Sequence, residues 1–179
     1  MLDHAGEILV LTGPPGAGKT TTARALAAAP GAPKVHLHAD DFWHFIRNGA
    51  IPPYRPEAGA QNAVVIGVLA KAAAGYAAGG FFVVVDGIVG PWFLPPFATL
   101  AMPVHYVVLR PPLDAALRRC RERGGDTLTD PGPIADLHRQ FSGLGKLERH
   151  VLPTEALRPE EVLSGVVRAV RDGRFLLGR

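Results

Sequence analysis

A three-layer α/β/α arrangement, with a parallel sheet covered by helices on both faces, follows from three observations on the 179-residue sequence. Short apolar runs rich in β-branched residues alternate with segments of helical length, which is the pattern of βα units. Two of those runs, Ile8 to Leu11 and Phe81 to Val85, are apolar without alternation, as strands buried on both faces are. Glycine (21) and proline (17) punctuate the chain without a three-residue period, which excludes collagen and predicts many sharp turns.

The first strand, Ile8 to Leu11, ends at once in Thr12-Gly13-Pro14-Pro15-Gly16. An alanine-rich helix follows from about Gly18 to Ala29 and is stopped by Pro30-Gly31. A second strand over 34–38 delivers Asp40 and Asp41 at its carboxyl end, before one or two helical turns over 42–47 and a proline-rich bend to Pro56. Residues 58–78 have helical length and are apolar nearly all round, which predicts a helix sandwiched between other elements. Phe81 to Val85 is a third strand ending in Asp86-Gly87, and Pro103 to Leu109 a fourth ending in Arg110. Pro111-Pro112 opens a helix to about Arg123, broken by Gly124-Gly125. Asp130-Pro131 supplies an N-cap and an N1 proline for a helix to about Leu144. A short strand near 150–152 and a helix over 159–171 complete a single domain, 1–179. In parallel sheets of this kind ligands bind beyond the carboxyl ends of the strands, and Gly13, Asp40, Asp86 and Arg110 all fall at that edge.

Composition narrows the function classes. Hydrophobic residues at 47% and charged residues at 20% exclude a largely disordered chain. The net charge of +3 is too small to be a nucleic-acid footprint, so a nucleic-acid partner is not expected. Residues 1–100 carry six basic and six acidic side chains, so the excess lies wholly in the second half, with five bases from Arg110 to Arg123. Cys120 is the single cysteine, which excludes an internal disulfide framework and fits a reducing compartment. No run of about 18 apolar residues predicts a membrane span, and the acidic N-terminus is unlike a signal peptide. A cytoplasmic protein, monomer or homodimer, is the expectation.

Gly13-Pro14-Pro15-Gly16-Ala17-Gly18-Lys19-Thr20 satisfies G-x-x-x-x-G-K-[ST] at every fixed position, between a strand and a helix as the motif requires. Its glycines let backbone N–H groups converge on phosphate oxygens, and the helix N-terminus adds positive potential. Lys19 is placed to reach the β- and γ-phosphates of ATP, the Thr20 hydroxyl to ligate Mg²⁺, and Thr21 to lie beside the nucleotide. Asp86, ending an apolar strand, occupies the position of a Walker-B carboxylate that holds Mg²⁺ directly or through water. Phosphoryl transfer to an alcohol also needs a carboxylate beside the attacking hydroxyl, which points to the pair Asp40 and Asp41. Strand geometry would turn one of them toward the phosphate and leave the other to cap the next helix.

Arg118, Arg121 and Arg123, running into the glycine pair, predict a lid over about 118–130 whose guanidinium groups steady charge on the transferred phosphoryl group. A solvated basic face is the competing reading. His36 and His38 share one strand face and are read as packing residues, since no metal-ligand spacing accompanies them. The aromatic residues Phe42, Trp43, Phe45, Tyr54, Trp92, Phe93 and Phe97 flank the carboxylate loops and are read as core before acceptor pocket.

The loop together with His38-Ala39-Asp40-Asp41-Phe42 resembles the small P-loop kinases of the nucleoside-monophosphate-kinase type, AAA-type ATP-binding proteins that include gluconate kinases, shikimate kinases and chloramphenicol phosphotransferase. The resemblance implies a five-stranded parallel sheet in order 2-3-1-4-5, Asp40 as the catalytic base, Arg110 near the adenine, and a lid carrying Arg118, Arg121 and Arg123. Trp43 stands where polynucleotide kinases of this group have an arginine, and the patterns that mark gluconate and shikimate kinases are absent. The sequence therefore predicts an ATP- and Mg²⁺-dependent phosphotransferase acting on a small-molecule hydroxyl. A nucleoside, nucleotide or polynucleotide 5′-hydroxyl kinase and an ATP-binding switch module without an acceptor are the alternatives.

Overall fold

Five short strands, β1 (Ile8–Thr12), β2 (Lys34–His38), β3 (Phe82–Asp86), β4 (Val104–Arg110) and β5 (Val151–Pro153), pair in parallel in the order β2-β3-β1-β4-β5. The computed structural model describes residues 3–124, 128–155 and 157–178. Seven helices accompany the strands among these residues: α1 (Lys19–Ala28), α2 (Ala39–His44), α3 (Gly59–Ala78), α4 (Pro95–Ala98), α5 (Leu113–Arg123), α6 (Pro131–Gln140) and α7 (Pro159–Arg171). The arrangement is a three-layer α/β/α P-loop NTPase fold, with the strand order that the resemblance implied.

The strands are apolar at successive positions because both faces are buried. Ile8, Val10, Val83, Val85, Tyr106 and Val108 pack on one side with Ile66, Leu69 and Ala73 of α3. Leu9, Leu11, Val84, Val107 and Leu109 pack on the other with Ala23 and Leu26 of α1 and Val162, Val166 and Val170 of α7. Each fully buried branched side chain contributes about 1.5–3 kcal/mol relative to exposure. Two contiguous cores therefore fix the register, because a one-residue slip would exchange the two faces of every strand.

The structure departs from expectation along α3. Its Val65, Ile66, Leu69, Ala70, Ala73 and Ala77 are buried, but Val64, Val68 and Tyr76 lie in solvent. The helix packs on the sheet and on α2 and α4, with Trp43 Nε1 donating to Asn62 at 2.8 Å, but its outer face is left uncovered although valines as well as alanines lie along it. With Phe42, Phe45 and Ile46 of the α2 region, its outer face borders a shallow apolar groove of about 370 Å³. No helix among the described residues is long and apolar enough to cross a membrane.

Helix ends follow the local chemistry. Asp130 caps α6, its carboxylate accepting from the Gly132 N–H at 3.0 Å. The helix ends at Gln140 rather than near Leu144, and a 3-10 segment over Gly145–His150 leads into β5. Residues 125–127, which include Gly125 of the expected hinge, lie outside the described residues.

Candidate active site

Both carboxylate-bearing strands end beside the loop that joins β1 to α1. Gly13, Gly16 and Gly18 all have positive φ, so the loop follows a path closed to other residues. At Gly16 the packing adds a second requirement, since a Cβ there would lie 2.5 Å from the carbonyl oxygen of Ala116 in α5. Lys19 Nζ donates to the carbonyls of Gly13 at 3.0 Å and Pro14 at 2.9 Å, lying back across the loop. Burial brings the Lys19 pKa down to about 8, against the opposing attraction of Asp40 and Asp86, while Arg123 adds to the lowering.

Asp86 is fully buried at the end of β3. A carboxylate there survives only if its oxygens are hydrogen-bonded. The Thr20 hydroxyl donates to Oδ2 at 2.6 Å, and Nε2 of His36 and Nδ1 of His38 meet Oδ1 at 2.5 and 3.1 Å. Burial alone would raise its pKa; the three hydrogen bonds outweigh it and hold the group well below the usual carboxylate range. The hydrogen bond to Asp86 in turn raises the pKa of His38.

His36 and His38 are thus polar partners of Asp86, not the packing residues expected from the sequence. The cause is register: β2 pairs with β3 so that His38 stands opposite Asp86 and His36 opposite Val84. Because alternate residues share a face, both imidazoles turn to the same carboxylate.

Asp40 and Asp41 occupy the first turn of α2, which starts at Ala39 directly after β2. The strand alternation expected for them does not apply, and neither caps the helix: the N-cap is His38, without a side-chain bond. Both favour the helix electrostatically through its N-terminal dipole. Asp40 is the one that faces the cluster, its Oδ2 lying 3.6 Å from His38 Nε2, so that one imidazole spans Asp40 and Asp86. Gly87 makes this proximity possible, since a Cβ there would fall 2.4 Å from the Cβ of Ala39.

A second cleft, about 260 Å³, opens on the other side of the loop between Gly16, Gly18, Thr21, Arg119, Glu122, Arg123 and an apolar wall of Leu157, Pro159 and Val162. Arg119 Nη1 also donates to the Gly16 carbonyl at 3.3 Å. Sequence reasoning missed Arg119 and the wall residues. The phase of α5 selects Arg119 and Arg123, four residues apart, for one face, while Arg118 and Arg121 are exposed and do not line the cleft.

Arg110 is also placed differently from expectation. It forms a two-pronged pair with Glu148, at 2.9 and 3.0 Å, and donates to the Phe141 carbonyl at 2.9 Å, tying the end of β4 to the 3-10 segment, and it does not line the cleft beside the loop. The aromatics divide. Phe97 is buried and Phe42, Trp43 and Phe93 pack against the core, whereas Phe45, Tyr54 and Trp92 are exposed at 70%, 83% and 42%.

A family model described as an AAA domain matches residues 8–144. No curated protein sequence matches the chain. Among solved structures, the thymidylate kinase of Candida albicans superposes with a TM-score of 0.69 at 13% identity, over 98% of this chain and 96% of that one. A sugar kinase from Janibacter sp. HTCC2649 gives 0.65 at 20% identity, over 92% and 94%. A chain of the Pnkp1/Rnl/Hen1 RNA repair complex gives 0.60 at 18% identity over 79% of this chain, which spans 45% of that longer one. At these identities the likeness is one of fold.

Proposed function

The chain belongs to the AAA domain family, and from that premise we propose that it is an ATP- and Mg²⁺-dependent phosphotransferase that moves the γ-phosphoryl group to a hydroxyl of a small molecule. The observation that carries this reading is the 2.6 Å contact of Thr20 with Asp86 at the mouth of the glycine loop, with Asp40 reached from the same carboxylate through His38. ATP sensing alone would need the loop but no exposed carboxylate beside it. The kinases among the matched structures support the reaction class, and one of them is named for a sugar.

In this reading the loop N–H groups and Lys19 hold the phosphates, and the adenine ring lies in the cleft of Arg119, Leu157, Pro159 and Val162. Lys19 exchanges the carbonyls of Gly13 and Pro14 for phosphate oxygens. The Thr20 hydroxyl and the Asp86 carboxylate are hard oxygen donors of the kind Mg²⁺ selects, so the residues fit that ion. When bound, Mg²⁺ supplies charge neutralisation to the transferring phosphate. Asp40 orients the acceptor hydroxyl and accepts its proton, and Arg123, close enough to Lys19 to lower its pKa, steadies charge on the transferred group. Arg118 and Arg121 would join it only through movement of the lid.

Phosphorus NMR of the protein with Mg-ATP and pooled metabolites and antibiotics tests the reading: a new phosphate ester is expected. Asp40→Asn should then slow transfer to that acceptor by about 10²–10⁴-fold while leaving nucleotide binding intact; undiminished transfer would remove Asp40 as the base. The thymidylate kinase and RNA repair matches favour testing nucleosides, nucleotides and 5′-hydroxyl RNA in the same assay. Binding of RNA that weakens steeply with salt would promote the polynucleotide acceptor.

A further inference from the structure

At the opposite edge of the sheet from the phosphate loop, the segment leading into β1 and the start of β4 bring together two imidazoles and a carboxylate. His4 Nδ1 lies 2.9 Å and His105 Nε2 lies 2.7 Å from the same oxygen, Oε2 of Glu7. All three donor atoms fall within 4.8 Å of one another. The two rings stand 5.7 Å apart and nearly perpendicular.

We propose that His4, Glu7 and His105 form a binding site for a transition-metal dication of the Zn²⁺ class, separate from the metal site of the phosphate loop. Imidazole nitrogens favour Zn²⁺ and its neighbours over Mg²⁺, and two histidines with one carboxylate is a donor set found in zinc sites. Bonds of about 2.0–2.1 Å at tetrahedral angles put neighbouring donors about 3.3 Å apart. To reach that spacing the carboxylate oxygen would withdraw from each imidazole by about half an ångström, and the two nitrogens, which lie within 4.8 Å of one another, would close toward it.

The surroundings suit such a site. His105 is 1% exposed and fixed in β4, opposite Leu9 of β1. His4 and Glu7 are closed into a turn by the Glu7 N–H to His4 carbonyl bond at 3.1 Å. Both keep partial solvent access, at 17% and 26%, which provides an entry path and a water for the fourth position. A bound ion would clamp the segment before β1 onto β4.

The test is titration of ZnCl₂ into the chelator-treated full chain without nucleotide, followed by calorimetry. One ion per chain is expected, with protons released as the ligands coordinate. His4→Ala and Glu7→Gln should each weaken binding by at least about tenfold, since even partners one bond further out contribute that much. Both variants should melt like the wild type in chelator, showing that they fold. Co²⁺ in place of Zn²⁺ should give a visible tetrahedral spectrum that His4→Ala abolishes. Absence of saturable binding would overturn the site, as would binding that survives both substitutions and is lost in His36→Gln.

Discussion

Thr12→Val isolates a single hydrogen bond that anchors the segment after β3 beside the phosphate loop. Thr12 is fully buried, and its Oγ1 accepts the Val89 N–H at 2.9 Å; the Tyr106 hydroxyl donates to the Val89 carbonyl at the same distance. Valine has nearly the same shape and suits a strand, so packing is conserved while the acceptor is lost. A buried N–H left unpaired costs about 1–3 kcal/mol. For a chain of this length each kcal/mol lowers Tm by about 2–4 °C, so a fall of about 2–12 °C is expected. Thr12→Ser keeps the acceptor and loses only a methyl group, for about 0.5–1.5 kcal/mol. Thermal and urea melts of the two variants, followed by circular dichroism, distinguish the causes. A Thr12→Val protein that melts with the wild type would refute the reasoning.

Two further outcomes are expected. Gly16→Ala combines strain at a φ of 74° with a Cβ 2.5 Å from the Ala116 carbonyl, whereas Gly18→Ala at a φ of 86° meets no atom within 4 Å. Nucleotide-free melts should therefore show both variants losing the about 1–2 kcal/mol of left-handed backbone strain and Gly16→Ala losing more than Gly18→Ala, and equal losses would remove the packing argument. The Arg110 guanidinium holds the Glu148 carboxyl below its ordinary pKa, so that stability is present above the usual carboxylate range and lost as pH falls through the folded value. The stability gap between wild type and Glu148→Gln, at most about 1 kcal/mol for so exposed a pair, should shrink between pH 7 and pH 3 in urea melts; a gap that widens on acidification would contradict the assignment.

The order of strands and helices was legible because glycine and proline mark almost every boundary, and the phosphate loop because its motif is contiguous. What escaped was non-local. Nothing in the sequence says that His38 stands opposite Asp86, since that follows from β2 pairing with β3 across an intervening helix pair. Arg110 could not be distinguished from a ligand-facing arginine until Glu148, far along the chain, was placed beside it. For Arg119 a usable signal existed: its four-residue spacing to Arg123 and its neighbourhood to the buried Ala115, Ala116 and Cys120 put it on the inner side of α5. The fate of Asp40 and Asp41 turned on one residue, because a helix that begins at Ala39 replaces strand alternation with a turn of about 100° per residue.

One consequence concerns synthesis of the chain. β5 covers only the far half of β4, from Val108 to Arg110, and the near half is covered by the segment after α7, where the Tyr106 N–H bonds the Phe175 carbonyl and the Leu177 N–H bonds the Val104 carbonyl, each at 2.9 Å. Phe175 is wholly buried there. As the chain emerges from the ribosome, β4 can join β1 long before residues 175–177 exist. During that interval it presents an unprotected strand edge to other nascent chains. Overexpression yield should therefore be sensitive to changes at Phe175 although it lies outside the candidate site.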